Sequence, residues 1–289
     1  MLKFSIIIPT LGRKIELDTL LESIVAQNYL NIEIIIVDQN KDNSIDDIIQ
    51  KYKKEIEIHH EKVNFKGASK ARNYGFGKSV GKIVAFPDDD AIMAPNTLKF
   101  VEEFFEEKNN REMQAIFGRV QDKESSKDIL HFKKKNTKIK LYNLYQTTIE
   151  TSMFIRREAF QQIDMYDEKL GIGTYFGAEE GADLVSRLLY NKTKMIYVAK
   201  TLYYHPNKRD YTLLDRACSY NRGFGALVCK HMKEYKRIYP MFFYGILKLL
   251  RDILKMILAI ITLNKQMFKF YYICFKAKIR GFVEKRKEY

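Results

Sequence analysis

Cysteine is scarce in this 289-residue chain, and its three cysteines all lie in the last third, at Cys218, Cys229 and Cys274. They form no Cys-x-x-Cys pair and show no cysteine–histidine spacing typical of zinc ligands. These absences exclude a disulfide framework and a structural zinc site, and they favour a reducing, cytosolic compartment.

The sequence also shows no glycine-rich phosphate loop, and we expect no secretory signal peptide. The first apolar run, at 4–8, is too short for the core of a signal peptide, so we expect the protein to stay in the cytosol. Neither GxGxxG nor a Walker motif follows this run. That absence weighs against a dinucleotide oxidoreductase and a P-loop NTPase, and it leaves a metal ion and side chains to hold any phosphates.

Apolar runs and helical patterns alternate in the first third of the chain. The runs predict buried strands at 4–8, 32–37 and 82–86, and the patterns predict helices at 15–27, 44–54 and 68–79. Strand–helix alternation predicts an α/β fold with a doubly wound, mostly parallel sheet. With 46% hydrophobic residues, the chain can build a sizeable core.

Polar residues follow three of the predicted strands, at 9–10, 38–40 and 88–90. Ligands of such sheets bind beyond the carboxyl ends of the strands. Asp88, Asp89 and Asp90 repel one another unless they share a positive charge. A hard cation such as Mg²⁺ or Mn²⁺ can be held by Asp88 and Asp90 while Asp89 points away. The alternative is a solvated acidic turn.

Two further segments carry charged residues near predicted helix starts. Arg72 lies early in the helix predicted at 68–79, where free N–H groups favour anions, although an ordinary basic surface helix is also possible. Glu179, Glu180 and Asp183 follow the glycine-rich stretch 171–177. Acids after a mobile loop suit a general base that meets a second substrate; acids that only complement the helix dipole are the alternative.

Five motifs in this order and spacing resemble the family 2 glycosyltransferases, which have the GT-A fold. They are IIIPT (6–10), VDQN (37–40), GASKARNYG (67–75), FPDDD (86–90) and AEEGADL (178–184). The resemblance covers about residues 3–230, and the segment from Tyr220 to His231 also resembles bacterial polysaccharide-assembling members. It implies an inverting, hexosyltransferase-type transfer of a sugar from a nucleotide-diphosphate sugar, such as a UDP-sugar, to a hydroxyl of a lipid-linked glycan.

The resemblance also implies roles for individual residues. Residues assigned to the donor are Pro9, Thr10 and Asp38 at the nucleoside, Arg72 and Asn73 in the donor pocket, and Asp88 and Asp89 in the acidic motif. Asp88, Asp90 and His205 are the implied contacts of a Mn²⁺ or Mg²⁺ cofactor.

The acidic motif departs from the family pattern of Glu-Asp, one residue, then Asp. Here the order is Glu179-Glu180-Gly181-Ala182-Asp183, so counting back from Asp183 places Gly181 where the base belongs. Counting from the glutamate pair gives Glu180, which we predict as the base because glycine has no side chain to take a proton. Glu179 and Asp183 remain open.

Positive charge is concentrated at the end of the chain. Residues 230–289 hold 15 Lys and Arg against 4 Asp and Glu, a local net charge of +11 out of +14. Lys248, Arg251, Asp252 and Lys255 fall on one helical face, and no charge-free stretch reaches the roughly 20 residues of a membrane span. We predict amphipathic helices on the cytoplasmic surface of an anionic plasma membrane, with packing on the catalytic domain as the alternative.

These inferences give a predicted organisation of two parts. Residues 1–230 form a GT-A catalytic domain, with a nucleotide-sugar half at 1–110 and an acceptor half at 111–230, and residues 231–289 form a membrane-associating helical tail. A nucleotidyltransferase is the first alternative, but it would carry a glycine-rich triphosphate loop. A nucleic-acid-binding protein is the second, but its cations would interleave with exposed aromatics, so we expect no nucleic-acid partner. An oligomer remains possible.

Overall fold

A computed structural model describes residues 2–161, 163–206, 214–236 and 241–289. The chain separates into two compact units. The first comprises Met1–Tyr166 and Leu184–Lys208, and the second comprises Asp167–Asp183 and Arg209–Tyr289.

The first unit begins with alternating strands and helices. They are β1 (Phe4–Thr10), α1 (Lys14–Val25), β2 (Ile32–Asp38), α2 (Asp46–Tyr52), β3 (Glu57–Lys62), α3 (Ala68–Lys78) and β4 (Ile83–Ala85). The four strands pair in parallel in the order β3-β2-β1-β4, and β1 and β2 are buried along their whole length. The predicted α/β alternation is therefore confirmed. No apolar run marked β3, because among its six residues only Ile58 is apolar and buried.

The second half of the first unit completes a mixed sheet. Its elements are β5 (Ile92–Met93), α4 (Thr97–Glu106), β6 (Ala115–Gln121), β7 (Thr137–Lys138), β8 (Met153–Arg156), α5 (Glu180–Tyr190) and β9 (Met195–Tyr204). The described strands follow the order β3-β2-β1-β4-β8-β6-β9-β5, with β7 paired to β9. Strand β8 runs antiparallel to both of its neighbours.

The prediction of a mostly parallel sheet is therefore corrected to a mixed one. Parallel neighbours need a crossover connection, usually a helix. The chain between β6 and β8 instead contains short 3-10 turns at Leu141–Gln146 and Glu150–Ser152, so β8 returns in the opposite direction.

Helix α3 lies unusually close to the sheet. A Cβ atom at Gly75 would come within 2.5 Å of Ile7 Cγ2 and 3.0 Å of Val37 Cγ2. Only glycine fits there without displacing the helix, and the close packing fixes the position of Arg72 one turn earlier.

The second unit combines turns and loops at 167–179 with long helices. Its helices are α6 (Leu214–Lys233), α7 (Met241–Ile261) and α8 (Lys265–Arg286), and α5 begins in this unit before continuing into the first. Glycines allow α6 and α8 to approach: a Cβ at Gly225 would lie 2.0 Å from the Lys278 carbonyl oxygen, and one at Gly281 would lie 1.9 Å from that of Arg222.

Within the described residues, no helix combines the length and the apolar character needed to cross a bilayer. The predicted boundary at residue 230 stays a prediction, and α6 runs continuously across that position.

Candidate active site

The carboxyl edge of the first unit's sheet brings the acidic motif and His205 together. Asp88, Asp89 and Asp90 follow β4, while His205 follows β9 directly. Strand β9 pairs with β5 so that Tyr204 lies opposite Ile92. This register carries His205 from a distant part of the sequence to the aspartates.

The three predicted metal ligands form one cluster. Their ligand atoms, from Asp88, Asp90 and His205, all lie within 4.8 Å of one another. His205 Nε2 is 3.0 Å from Asp90 Oδ1 and 3.9 Å from Asp88 Oδ2, and its Nδ1 is 2.9 Å from the Pro206 carbonyl oxygen. A proton on Nδ1 donated to that carbonyl leaves Nε2 directed at the carboxylates, which is the arrangement a metal-binding histidine needs.

Two arginines surround this cluster. Arg72 Nη2 lies 2.9 Å from Asp88 Oδ1, and Arg13 Nη1 lies 2.7 Å from Asp89 Oδ1 and 2.9 Å from Asp90 Oδ2. Asp89 thus faces Arg13 and stands outside the group of three potential ligands. Cations beside paired carboxylates also supply the positive charge that a diphosphate would meet.

The aspartates differ in exposure, so the cluster is open to solvent on the side of Asp88. The Asp90 side chain is 2% exposed, whereas that of Asp88 is 34% exposed and accepts a 2.7 Å hydrogen bond from Thr151 Oγ1. A ligand arriving from solvent would therefore meet Asp88 first.

Electrostatics within the cluster favour the protonated form of two groups. Burial acts to lower the pKa of His205, but the hydrogen bond and charge of Asp90 and the charge of Asp88 raise it above its usual value overall. Burial also raises the pKa of Asp89, and the charge of Arg13 opposes this only in part. A divalent cation held by the cluster would reverse the preference of His205, because the ion would compete with the proton for Nε2.

Asn73 is linked to Arg72 through Tyr166. Its side-chain amide donates to the Tyr166 carbonyl oxygen and accepts from the Tyr166 N–H, both at 2.9 Å. The Tyr166 ring in turn lies 5.3 Å from the Arg72 guanidinium. The described contacts of Asn73 therefore hold Tyr166 beside Arg72, and its predicted contact with the donor stays a prediction.

The ends of β1 and β2 lie at the same edge. Thr10 is opposite Asp38 in the parallel register, and Pro9 precedes it in β1. Asp38 is fully buried: its Oδ1 accepts from the Asn40 N–H at 2.9 Å, and its Oδ2 lies 3.0 Å from His60 Nε2. These contacts order the loop after β2, while the predicted nucleoside contact of Pro9, Thr10 and Asp38 stays a prediction.

The acidic segment lies in the second unit and its three carboxylates differ. Glu179 has a positive φ of 76°, Glu180 opens α5, and Asp183 is fully buried. Asp183 Oδ1 is 3.0 Å from Lys230 Nζ and 3.1 Å from His231 Nε2. Because an ammonium and an imidazole already hold it, the Asp183 carboxylate is less available to take a proton than an unpaired carboxylate would be.

Lys230 connects Asp183 to a second acid. Its Nζ also lies 2.7 Å from Asp167 Oδ2. Burial acts to lower the pKa of Lys230, but the charges of Asp183 and Asp167 raise it overall, so the ammonium is maintained. This network fixes the start of α5 to α6.

Arg13 and Thr151 were missed by the sequence prediction. Arg13 follows the end of the first strand by three positions. Its place near that strand end, the feature that marked Pro9 and Thr10, could have identified it. Thr151 contacts Asp88 from 63 positions away, and no local pattern marks it.

Comparison with known proteins decides the family. The family profile described as glycosyl transferase family 2 matches residues 5–164, more than half of the chain. The chain belongs to glycosyl transferase family 2. The resemblance inferred from the five motifs is therefore confirmed.

Relatives of this family 2 chain include a protein named for teichoic acid biosynthesis. It is 28% identical over 215 residues to the minor teichoic acid biosynthesis protein GgaB of Bacillus subtilis, a match over 72% of the chain and 23% of GgaB. An uncharacterized glycosyltransferase of Rickettsia bellii is 34% identical over 107 residues, covering 37% of the chain and 16% of that protein. The chain thus spans less than a quarter of these relatives.

Solved structures of other proteins share the fold. Staphylococcus aureus TarS superimposes with a TM-score of 0.64 at 18% identity, over 80% of this chain and 40% of TarS. The mannosyltransferase PcManGT of Pyrobaculum calidifontis gives a TM-score of 0.65 at 13% identity, over 98% and 87% of the two chains. At identities this low, the similarity establishes the fold and nothing about function. It confirms the predicted α/β fold of the GT-A type.

Proposed function

We propose that this chain is an inverting, metal-dependent glycosyltransferase that acts in bacterial surface-polysaccharide synthesis. It moves a sugar from a nucleotide-diphosphate sugar to a hydroxyl of a lipid-linked glycan. The observation that carries the proposal is the cluster of Asp88, Asp90 and His205 beside Arg72 and Arg13, at the carboxyl edge of the sheet in a family 2 chain.

Related proteins support this choice of donor and product. TarS is named a poly(ribitol-phosphate) β-N-acetylglucosaminyltransferase, and a TarS structure contains UDP-GlcNAc. The PcManGT structure contains GDP-Man and Mn²⁺, and GgaB is named for teichoic acid synthesis. We propose a UDP-sugar as the donor, with Pro9, Thr10 and Asp38 at its nucleoside.

The three clustered side chains are suitable ligands for a divalent cation. Two carboxylates and an imidazole whose other nitrogen faces a carbonyl suit Mn²⁺ or Mg²⁺, since carboxylates are preferred ligands of both. Such an ion, held by Asp88, Asp90 and His205, would supply positive charge beside the departing diphosphate.

The protein's own residues then have separate tasks. Arg72 and Arg13 lie where negative charge grows on the departing diphosphate, and a fixed guanidinium stabilises that charge without reorganisation. Asn73 and Tyr166 hold Arg72 in place. Glu180 accepts the proton of the acceptor hydroxyl. The hydroxyl oxygen attacks the sugar from the face opposite the diphosphate, and this attack inverts the anomeric centre.

A donor screen tests the transferase proposal. We expect the purified protein to release nucleotide from one of UDP-, GDP- or dTDP-sugars, with UDP-sugars preferred and faster release in Mn²⁺ than in EDTA. Even without an acceptor, slow hydrolysis of the correct donor should exceed the rate without protein. A chain that releases no nucleotide from any donor, and whose melting temperature no nucleotide raises, would contradict the proposal.

We also propose that the helices beyond residue 240 attach the protein to the cytoplasmic face of an anionic membrane. Helix α7 exposes a row of large apolar side chains, among them Phe243, Leu247, Leu250, Leu254 and Ile257. Monomeric proteins rarely leave so extended an apolar face in water. The basic residues of the tail add an attraction of about 1 kcal/mol for each cation near the lipid surface.

Vesicle flotation tests this attachment. The full chain should float with phosphatidylglycerol-containing vesicles at low salt and less at high salt, since salt screens the cationic contribution. Leu254→Asp, on the exposed face of α7, should reduce flotation, whereas Leu30→Asp, at a leucine that is 90% exposed in the first unit, should not. No flotation at low salt would indicate that the face packs against protein instead.

A further inference from the structure

Helix α7 turns the charged side chain of Asp252 inward and most of its large apolar side chains outward. Asp252 is fully buried and forms ion pairs with buried Lys278 of α8 and, at 2.9 Å, with Arg251. The other inward positions of α7 include Gly245 and Ala259. The outward positions carry large apolar side chains such as Phe242, Ile246, Leu254, Ile257 and Ile261.

This orientation is the reverse of what water favours. Burying a charged pair costs desolvation energy, and exposing leucine and isoleucine forfeits about 1.5–3 kcal/mol for each side chain that could be buried. Because α7 keeps both features, its outer surface is built for an apolar environment. The prediction that Lys248, Arg251, Asp252 and Lys255 share one helical face did not anticipate that Asp252 faces inward.

An apolar cavity of about 220 Å³ opens among α6, α7 and α8. It is lined by Phe224 and Val228 of α6, Phe242 and Leu249 of α7, and Ile279 and Phe282 of α8. Phe242 and Ile279 are about two-fifths exposed, so the cavity reaches the surface beside the apolar face of α7. A cavity of roughly 150 Å³ with such a lining takes benzene, so this one can admit the end of a hydrocarbon chain.

The lining offers little to a polar ligand. Among its described residues Lys278 carries a charge, and its ammonium is already paired with Asp252. A sugar or nucleotide needs several convergent polar groups, whereas a hydrocarbon chain needs none. The lining therefore selects an aliphatic ligand.

Besides Lys278, which is paired with Asp252, further cations lie near the lining residues. Lys248 Nζ lies 3.9 Å from the centre of the Phe224 ring, and the Arg251 side chain is 56% exposed. On α8, exposed Arg280 follows Ile279 directly, and exposed Lys276 precedes it by three positions. This charge is complementary to a phosphate headgroup whose chain occupies the cavity.

We propose that the cavity among α6, α7 and α8 binds one hydrocarbon chain of an anionic membrane lipid, with the neighbouring cations at its headgroup. The chain would be drawn from the bilayer that the outer face of α7 contacts. The inference rests on the proposed membrane attachment and is independent of the transfer reaction.

The absence of tryptophan from the sequence gives a direct test. Phe242→Trp places a single tryptophan on the cavity lining, and Phe243→Trp, at a neighbouring residue that is 52% exposed and outside the lining, is the matched control. The probe is dodecanoate brominated at its terminal carbon, which quenches tryptophan on contact. Without vesicles, we expect saturable quenching of Phe242→Trp and only weak, unsaturable quenching of Phe243→Trp.

A cavity-filling substitution completes the test. Val228→Phe in the Phe242→Trp background should weaken probe binding about tenfold, because it excludes about two methylene groups from the cavity. Should Val228→Phe lower the melting temperature, Leu249→Phe, at a less buried lining position, replaces it. Inorganic phosphate alone should not compete, whereas dodecyl phosphate should compete better than dodecanol.

The outcomes separate the inference from the proposed function. Equal quenching of the two tryptophan variants, or quenching unaffected by the filling substitutions, would overturn the cavity site even if the protein floats with vesicles. Failure to bind the probe together with concentration-dependent dimerisation would mean that a second copy covers the face, which also overturns it. Nucleotide release from the donor is measured separately and is expected to persist in Val228→Phe.

Discussion

Replacing Asp90 by Asn is expected to reduce sugar transfer by about a hundredfold or more and to remove the Mn²⁺ dependence of UDP binding. Asp90 is the most buried carboxylate of the cluster, and its two oxygens lie 3.0 Å from His205 Nε2 and 2.9 Å from Arg13 Nη1. The amide keeps the shape but loses the charge that a hard cation requires.

Two measurements check this result. Initial rates of nucleotide release give the loss of activity, and melting temperatures with UDP, in Mn²⁺ and in EDTA, give the linkage between metal and nucleotide. Asp47→Asn, at an exposed acid on α2 that pairs with Lys14, is the control and should behave like the unaltered chain. If UDP stabilises the unaltered chain equally in EDTA, the metal has no part in donor binding.

The first half of the sheet could be predicted from the sequence because its signals are local. Apolar runs such as Ile6-Ile7-Ile8 mark strands buried on both faces, and the acids after Phe86 mark the end of one of them. Since parallel strands end at one edge, the grouping of Thr10, Asp38 and Asp88 followed from the strand order alone.

The rest depends on contacts between distant residues. The antiparallel return of β8 follows from a connection without a crossover helix, which leaves no mark in hydrophobic periodicity. Thr151 reaches Asp88, and Lys278 reaches Asp252, across 63 and 26 positions. Charge spacing along α7 predicted a single polar face, but only the packed helices reveal that Asp252 lies on the inner side.

The acidic motif shows the same division between local pattern and packing. Counting along the sequence left Glu179, Glu180 and Asp183 as candidates for the base. Packing distinguishes Asp183, because Lys230 and His231 of α6, nearly fifty positions later, hold its carboxylate in a fully buried site. These contacts indicate that Asp183 anchors the first turn of α5 to α6. We propose that Glu180, the first residue of α5, is the base.

Two substitutions at this motif are therefore expected to fail in different ways. Glu180→Gln should leave UDP binding and the melting temperature unchanged but lower transfer by about 10²–10⁴-fold, the usual contribution of a general base. Asp183→Asn should instead destabilise the fold by about 3–5 kcal/mol, because it leaves the buried Lys230 ammonium with only Asp167 as a described carboxylate partner. Its remaining folded fraction should retain transfer activity at low temperature.

Thermal unfolding and single-turnover transfer, measured on the same preparations, separate the two roles. Glu158→Gln, at an exposed acid of the first unit, should change neither quantity. A folded and stable Asp183→Asn protein without activity would move the base to Asp183, and the same result for Glu179→Gln would move it to Glu179. Near-normal turnover by Glu180→Gln would exclude Glu180, because a carboxamide cannot take the acceptor's proton at neutral pH.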